Sequence, residues 1–123
     1  MERRVVITGL GAITPIGKDV NESWNSILNK KCGIDNISLF DNSTFKTKVD
    51  AEVKNYESQE YFDLKQSKRL DRSSQFAIIA SREAFKDSGI TKENTDFERV
   101  GVFVSSGIAG LSTIQEQCTI NCT

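Results

Sequence analysis

Two short apolar runs, Arg4–Leu10 and Arg99–Val104, constrain the fold more than anything else in the chain, because each leads into a loop of glycines and small residues. Arg4-Val5-Val6-Ile7-Thr8-Gly9-Leu10 and Arg99-Val100-Gly101-Val102-Phe103-Val104 are rich in β-branched residues rather than alternating polar with apolar. Runs of this kind suit strands covered on both faces. Covering them takes helices, and the sequence between them supplies two. Asp19 is placed to cap a helix of about twelve residues, with Glu22 three positions on as in a capping box. Val20, Trp24, Ile27 and Leu28 fall at i, i+4, i+7 and i+8, one apolar stripe. Lys30 and Lys31 suit the negative end of the helix dipole, and Gly33 is predicted to take the left-handed position that ends it.

A longer helix is predicted over residues 73–88. Phe76, Ile79, Ala80 and Ala84 share one stripe, and Ile78 and Phe85 widen it, so this helix should pack on more than one side before Gly89 closes it. Lys48-Val49-Asp50-Ala51-Glu52-Val53 alternates strictly and predicts a strand with one wet face. A short cationic helix is expected around Lys65–Leu70, and another helix from Leu111. Strand, helix, strand, short helix, long helix, strand and helix in that order argue for an α/β layered fold. So few strands and helices leave a sheet edge and helix faces uncovered, so residues 1–123 read as part of one domain. Repeats, low-complexity tracts and linker-like segments are absent from the sequence.

Composition excludes several classes. A chain of 123 residues allows one modest domain, and 37% hydrophobic with 27% charged residues is close to the soluble globular average. Apolar runs are too short to span a bilayer. The basic start, Met1-Glu2-Arg3-Arg4, is followed only by Val5-Val6-Ile7, too short for a secretory leader. A soluble, cytoplasmic protein is therefore expected. The net charge of −1 gives no global basic field, so nucleic acid is not an expected partner. Cys32, Cys118 and Cys122 make an odd count and read as reduced thiols. Histidine is absent, which removes the commonest general base and metal ligand together. Cys118 and Cys122 could share one helical face, yet zinc needs two further ligands. No metal site is expected.

Three motifs remain. Gly9-Leu10-Gly11 resembles the start of a dinucleotide-binding turn, but Thr14 and Pro15 stand where that turn needs a third glycine and a helix. A tight turn out of a core strand fits better than a nucleotide site. Lys65, Lys68, Arg69 and Arg72 are spaced to share one helical face, which is either a solvated surface or a landing patch for an acidic partner. Ser105-Ser106-Gly107-Ile108-Ala109-Gly110 follows a strand's carboxyl end, where open α/β sheets bind ligands. It reads equally as a turn into the next helix. Neither serine is a convincing nucleophile without a histidine to activate it.

Taken together these stretches resemble the β-ketoacyl-acyl carrier protein synthases. Arg3-Arg4-Val5-Val6-Ile7-Thr8-Gly9-Leu10-Gly11-Ala12-Ile13-Thr14-Pro15-Ile16-Gly17 is similar to that family's opening. Cys32-Gly33-Ile34 is similar to the small-residue, glycine, isoleucine turn after its first helix. Asp71 and Gln75 sit in a segment like its R-x-L-D-x-x-x-Q, and Ala84-Phe85-Lys86-Asp87-Ser88-Gly89 is like its A-x-x-D-S-G. Arg99-Val100-Gly101 through Gly110 resembles its R-I-G-V to S-G-x-G-G stretch, with Ala109 where a glycine is usual. The match covers essentially the whole chain, and the opening and cationic helix are most similar to the elongating type II enzymes of bacterial fatty-acid synthesis.

The resemblance implies a thiolase-like fold, of which this chain is the amino-terminal portion, incomplete by itself. It implies a cytoplasmic homodimer that needs no cofactor and catalyses a decarboxylative Claisen condensation. In that reaction an acyl group passes from acyl carrier protein to a cysteine, and malonyl-ACP loses carbon dioxide to give the carbanion that attacks it. The family's cysteine lies in a T-A-C segment further along and its two histidines lie further still. No catalytic residue is therefore assigned here, and Cys118 and Cys122 are not given the role. The resemblance does carry two roles over: Lys65, Lys68 and Arg69 correspond to the docking patch for acyl carrier protein, and Ile108 to a position lining the acyl pocket near the dimer interface. A non-catalytic carrier-binding module and a polyketide-type ketosynthase are the alternatives.

Overall fold

The computed structural model describes residues 3–122. Its secondary structure is dominated by four helices: α1 (Val20–Leu28), α2 (Leu64–Arg69), α3 (Arg72–Asp87) and α4 (Leu111–Asn121). Two strands of two residues each, β1 (Asp35–Asn36) and β2 (Val49–Asp50), pair antiparallel with Asp35 opposite Asp50 and Asn36 opposite Val49. Single 3-10 turns occupy Ser58–Glu60 and Phe97–Arg99.

The helices lie where capping and periodicity predict them. The strands do not. Arg4–Leu10 and Val100–Val104 form no strand, and only Val49–Asp50 survives of the alternating run Lys48–Val53. A strand is held by ladder bonds to a neighbour, and neither apolar run has one among the described residues. Their side chains stand in water, with Val5 90% and Phe103 97% exposed. The whole chain exposes 10560 Å². A compact protein of 13.7 kDa exposes about 6,600 Å². Only Phe62 and Ile79 are buried hydrophobic residues among those described.

What order there is centres on α3. Asp71 caps it by accepting from the Ser73 amide at 2.8 Å, and Gly89, at φ +65°, follows its end as expected. The segment of residues 9–12 lies flush on this helix. A Cβ on Gly9 would sit 2.3 Å from the Ala84 carbonyl oxygen, which leaves room for hydrogen only. The Gly9-Leu10-Gly11 sequence therefore serves close packing of backbone on helix. Two acidic side chains of α3 then fix the segment: Asp87 accepts the Leu10 amide at 2.9 Å, and Glu83 accepts the Ala12 amide at 2.9 Å. The other oxygen of Glu83 accepts from the Val20 amide at 2.9 Å, satisfying a first-turn donor of α1.

Helix α1 packs on the opposite kind of face from the one its pattern predicts. Ser23 and Ser26 are its buried residues, while Trp24, Ile27 and Leu28 are more than half exposed. The serines face the loop of residues 14–17, where Ser26 donates to the Ile16 carbonyl at 2.7 Å and the Ser23 and Thr14 hydroxyls meet at 2.9 Å. Small polar residues win this face because a backbone loop is laid against it. The helix also ends earlier than expected. Lys31 donates to the Ser26 carbonyl and Lys30 to that of Ile27, both at 2.9 Å, the paired bonds of a Schellman motif. Lys30, at φ +55°, takes the left-handed position expected of Gly33. Gly33 is needed for contact instead: a Cβ there would lie 2.9 Å from side-chain atoms of Pro15 and Ile16.

Candidate functional site

The cationic segment predicted to carry function forms α2. Asp63 caps it, its carboxylate accepting from the Gln66 amide at 2.7 Å. Lys68 and Arg69 occupy the last turn, where the helix dipole favours positive charge. Lys65, Lys68 and Arg69 are all exposed. Their side chains have no ion-pair or hydrogen-bond partner among the described residues. Three cations thus stand together on one short helix with no carboxylate answering them.

Arg72 does not belong to this face, although its spacing places it there. Leu70 turns extended at ψ 126°, and Asp71 begins a new helix as the cap of α3. The Arg72 guanidinium consequently points elsewhere. It lies 5.3 Å from the ring centroid of Tyr56 and 5.2 Å from that of Phe76, and it donates to the Val53 carbonyl. Its charge lies over two aromatic faces instead, at the surface of the structure.

Beneath α2 lies a residue that the sequence left without a role. Gln75 is 5% exposed. Its Nε2 donates to the carbonyls of Ser67 at 3.0 Å and Leu70 at 2.8 Å, and its Oε1 accepts from the Tyr56 hydroxyl at 2.6 Å. Both carbonyls belong to the end of α2, where helix oxygens lack internal partners. Tyr56 is packed edge-on to Phe76 at 4.9 Å and stacked on Tyr61 at 5.8 Å. Burial raises the pKa of its hydroxyl above the ordinary tyrosine value, against the opposing pull of Arg72, so it stays a donor. The Ser58 and Ser67 hydroxyls make a second tie from α2 to the preceding turn.

Ile108 lies on a different segment, the irregular loop before α4, and is 75% exposed. A cleft of about 680 Å³ opens between α3 at Ser73, Phe76 and Ala77 and the loop at Ser105, Ser106 and Ala109. Ile108 is beside this cleft and not among the residues that line it. The loop is anchored at its far end, where the Thr113 hydroxyl donates to Asp71 at 3.0 Å. Cys32, Cys118 and Cys122 are exposed free thiols. Among the described residues no three acidic or thiol side chains are grouped to hold a metal ion.

Comparison with known proteins shows the family to which these residues belong. The model of the β-ketoacyl synthase N-terminal domain matches residues 2–120. A 3-oxoacyl-acyl-carrier-protein synthase 2 from Staphylococcus aureus (strain N315) is 40% identical over 113 residues, covering 92% of this chain and 27% of the relative. The protein of the same name from Coxiella burnetii is 41% identical over 115 residues, 94% of this chain and 28% of its own length. The chain thus spans little more than a quarter of the curated relatives it matches. Among solved structures, the ishigamide ketosynthase/chain length factor superposes with a TM-score of 0.63 at 31% identity, over 76% of this chain and 23% of that one. That likeness supports the α/β, thiolase-like assignment even though the two apolar runs are unpaired here. With the family's model matched from residue 2 to residue 120, the chain belongs to the β-ketoacyl synthase N-terminal domain family.

Proposed function

We propose that residues 1–123 are the amino-terminal portion of a 3-oxoacyl-ACP synthase of fatty-acid elongation, and that their direct contribution is to dock acyl carrier protein. The observation that carries this reading is the group of three outward, unanswered cations on α2. A carrier with an acidic surface would be steered to them, because uncompensated charges act at distances up to the Debye length. The relatives' name supplies the reaction class, and the family resemblance supplies its chemistry.

In the complete enzyme, the condensation joins an acyl group held on a cysteine to the carbanion left when malonyl-ACP loses carbon dioxide. The new carbon–carbon bond forms as the thioester to the cysteine breaks, and the thiolate leaves. Neither the cysteine motif nor any histidine is present in these residues. These residues are therefore proposed to contribute docking, and not turnover, to that enzyme. Ile108 is the residue proposed for the acyl-pocket wall, where one methylene more or less of aliphatic bulk would tune the chain length accepted. A cytoplasmic homodimer is the proposed setting. Among the described residues no helix is long and apolar enough to cross a membrane.

Titration of the chain with acyl carrier protein at low ionic strength, followed by calorimetry, tests the docking reading. Binding that weakens with salt and is lost in Lys65→Glu and Arg69→Glu is the expected result. An affinity indifferent to both reversals would sink it.

A further inference from the structure

We propose that Gln75 is the positioning residue of the docking face: its buried amide holds α2 against α3 so that Lys65, Lys68 and Arg69 are presented outward together. The inference rests on the docking reading of α2 and adds the device that orients it.

Helix α2 has six residues. An isolated helix that short does not persist in water, because nucleation costs more than one turn and a half returns. Something outside it must hold it in place. Its cap at Asp63 is local to its own first turn. The Ser58–Ser67 hydroxyl contact reaches only the preceding 3-10 turn. Among the described residues, Gln75 alone ties its carboxyl end to the long helix by hydrogen bonds, through the carbonyls of Ser67 and Leu70.

Only a primary amide of this length meets the demand. Two carbonyl oxygens need two donors, and the Tyr56 hydroxyl beside them needs an acceptor. The glutamine amide offers both from one planar group. An ionised glutamate would face the two carbonyls with no donor, and a methionine of similar shape would leave all three groups unpaired. The geometry also settles which end of the amide is which, since the two carbonyls must lie on the nitrogen side. Arg72, though exposed, lies over the Tyr56 and Phe76 rings rather than joining the cations.

Hydrogen exchange of the chain and of its Gln75→Met variant, with titration of both by acyl carrier protein across a salt series, tests the proposal. In Gln75→Met the amides of Ser67 to Leu70 are expected to exchange roughly tenfold faster, with those of residues 79–84 in α3 unchanged. Carrier affinity should fall roughly threefold to tenfold. The slope of log Kd against log salt should not move, since the same three charges are present. A charge reversal, by contrast, lowers both affinity and slope. Unchanged exchange in α2 overturns the holding role. Faster exchange with unchanged affinity overturns its link to docking. If the wild-type chain binds no carrier, or binds it regardless of Lys65→Glu, the docking reading fails and takes the link with it, while the exchange data still read the hold on α2. Should Gln75→Met unfold α3 as well, Tyr56→Phe removes one hydroxyl only. It is expected to shift α2 exchange in the same direction by roughly twofold to threefold, and no shift overturns the proposal.

Discussion

Gly11 lies so close to Ala80 that a Cβ built on the glycine would stand 1.9 Å from the Ala80 carbonyl oxygen. That oxygen belongs to the backbone of α3 and cannot rotate aside as a side chain would. Gly11→Ala must therefore push the whole segment of residues 9–12 off the helix, breaking the amide bonds to Asp87 and Glu83 as it goes. A loss of about 3 kcal/mol is expected, the upper range of overpacking costs. Urea unfolding followed by far-ultraviolet circular dichroism would show it as a lower midpoint. A midpoint matching wild type would mean that this contact is not made in solution.

Glu83 joins the same segment to α1, accepting from Ala12 with one oxygen and from Val20 with the other. Glu83→Gln keeps one acceptor and turns the other atom into a donor aimed at an N–H. One charge-assisted bond is lost and the other becomes neutral. The expected cost is about 2 kcal/mol, with Glu83→Ala costing more because both amides go unanswered. Proteolytic susceptibility within residues 12–20 should rise in both variants and in that order.

How much of this was legible beforehand divides along local and nonlocal lines. Asp19 caps the helix that follows it, as its sequence pattern predicts, because capping depends on three or four neighbouring residues. Such signals survive whatever the rest of the chain does. Strands do not, because Val5-Val6-Ile7 and Val102-Phe103-Val104 need ladder partners that the described residues do not provide. The apolar stripe of α1 was real, but Ser23 and Ser26 face the loop while Trp24 faces water. Periodicity finds an apolar face without saying whether anything covers it. In the candidate site, Lys65, Lys68 and Arg69 all fall on α2 or its last turn, while helical spacing carries Arg72 onto their face across a break at Leu70 that the pattern does not show. Gln75 had no visible role at all. Its partners are the backbone carbonyls of Ser67 and Leu70, which carry no sequence signature.

Lys30 sits at φ +55° in the Schellman turn that ends α1. A lysine pays a Cβ penalty in the left-handed region that glycine does not. Lys30→Gly is thus expected to stabilise the chain by about 0.5–1 kcal/mol, despite removing a favourable charge from the helix end. The thermal midpoint should rise. A fall would show that the charge at this helix end outweighs the backbone strain.

Asp71 gives the chain a pH dependence whose direction is fixed by its partners. The Ser73 hydroxyl and the Ser73 amide, then the Thr113 hydroxyl, all donate to its carboxylate. These bonds favour the charged form, the Ser73 hydroxyl most, and hold its pKa below the ordinary aspartate value. A carboxyl depressed in the folded state stabilises that state fully above its unfolded pKa. The contribution disappears as pH falls from about 3.9 through the lower folded value. The cap of α3 and the tie to α4 should therefore be intact near neutrality and weaken together below that point. Carbon-detected NMR titration of the Asp71 carboxyl should give a midpoint below that of an ordinary aspartate. Ser73→Ala should move the midpoint towards the ordinary value more than Thr113→Val does, because Ser73 supplies the larger part of the shift. Equal movement, or a larger one in Thr113→Val, would place the anchor of the α4 loop, and not the cap of α3, in control of this carboxylate.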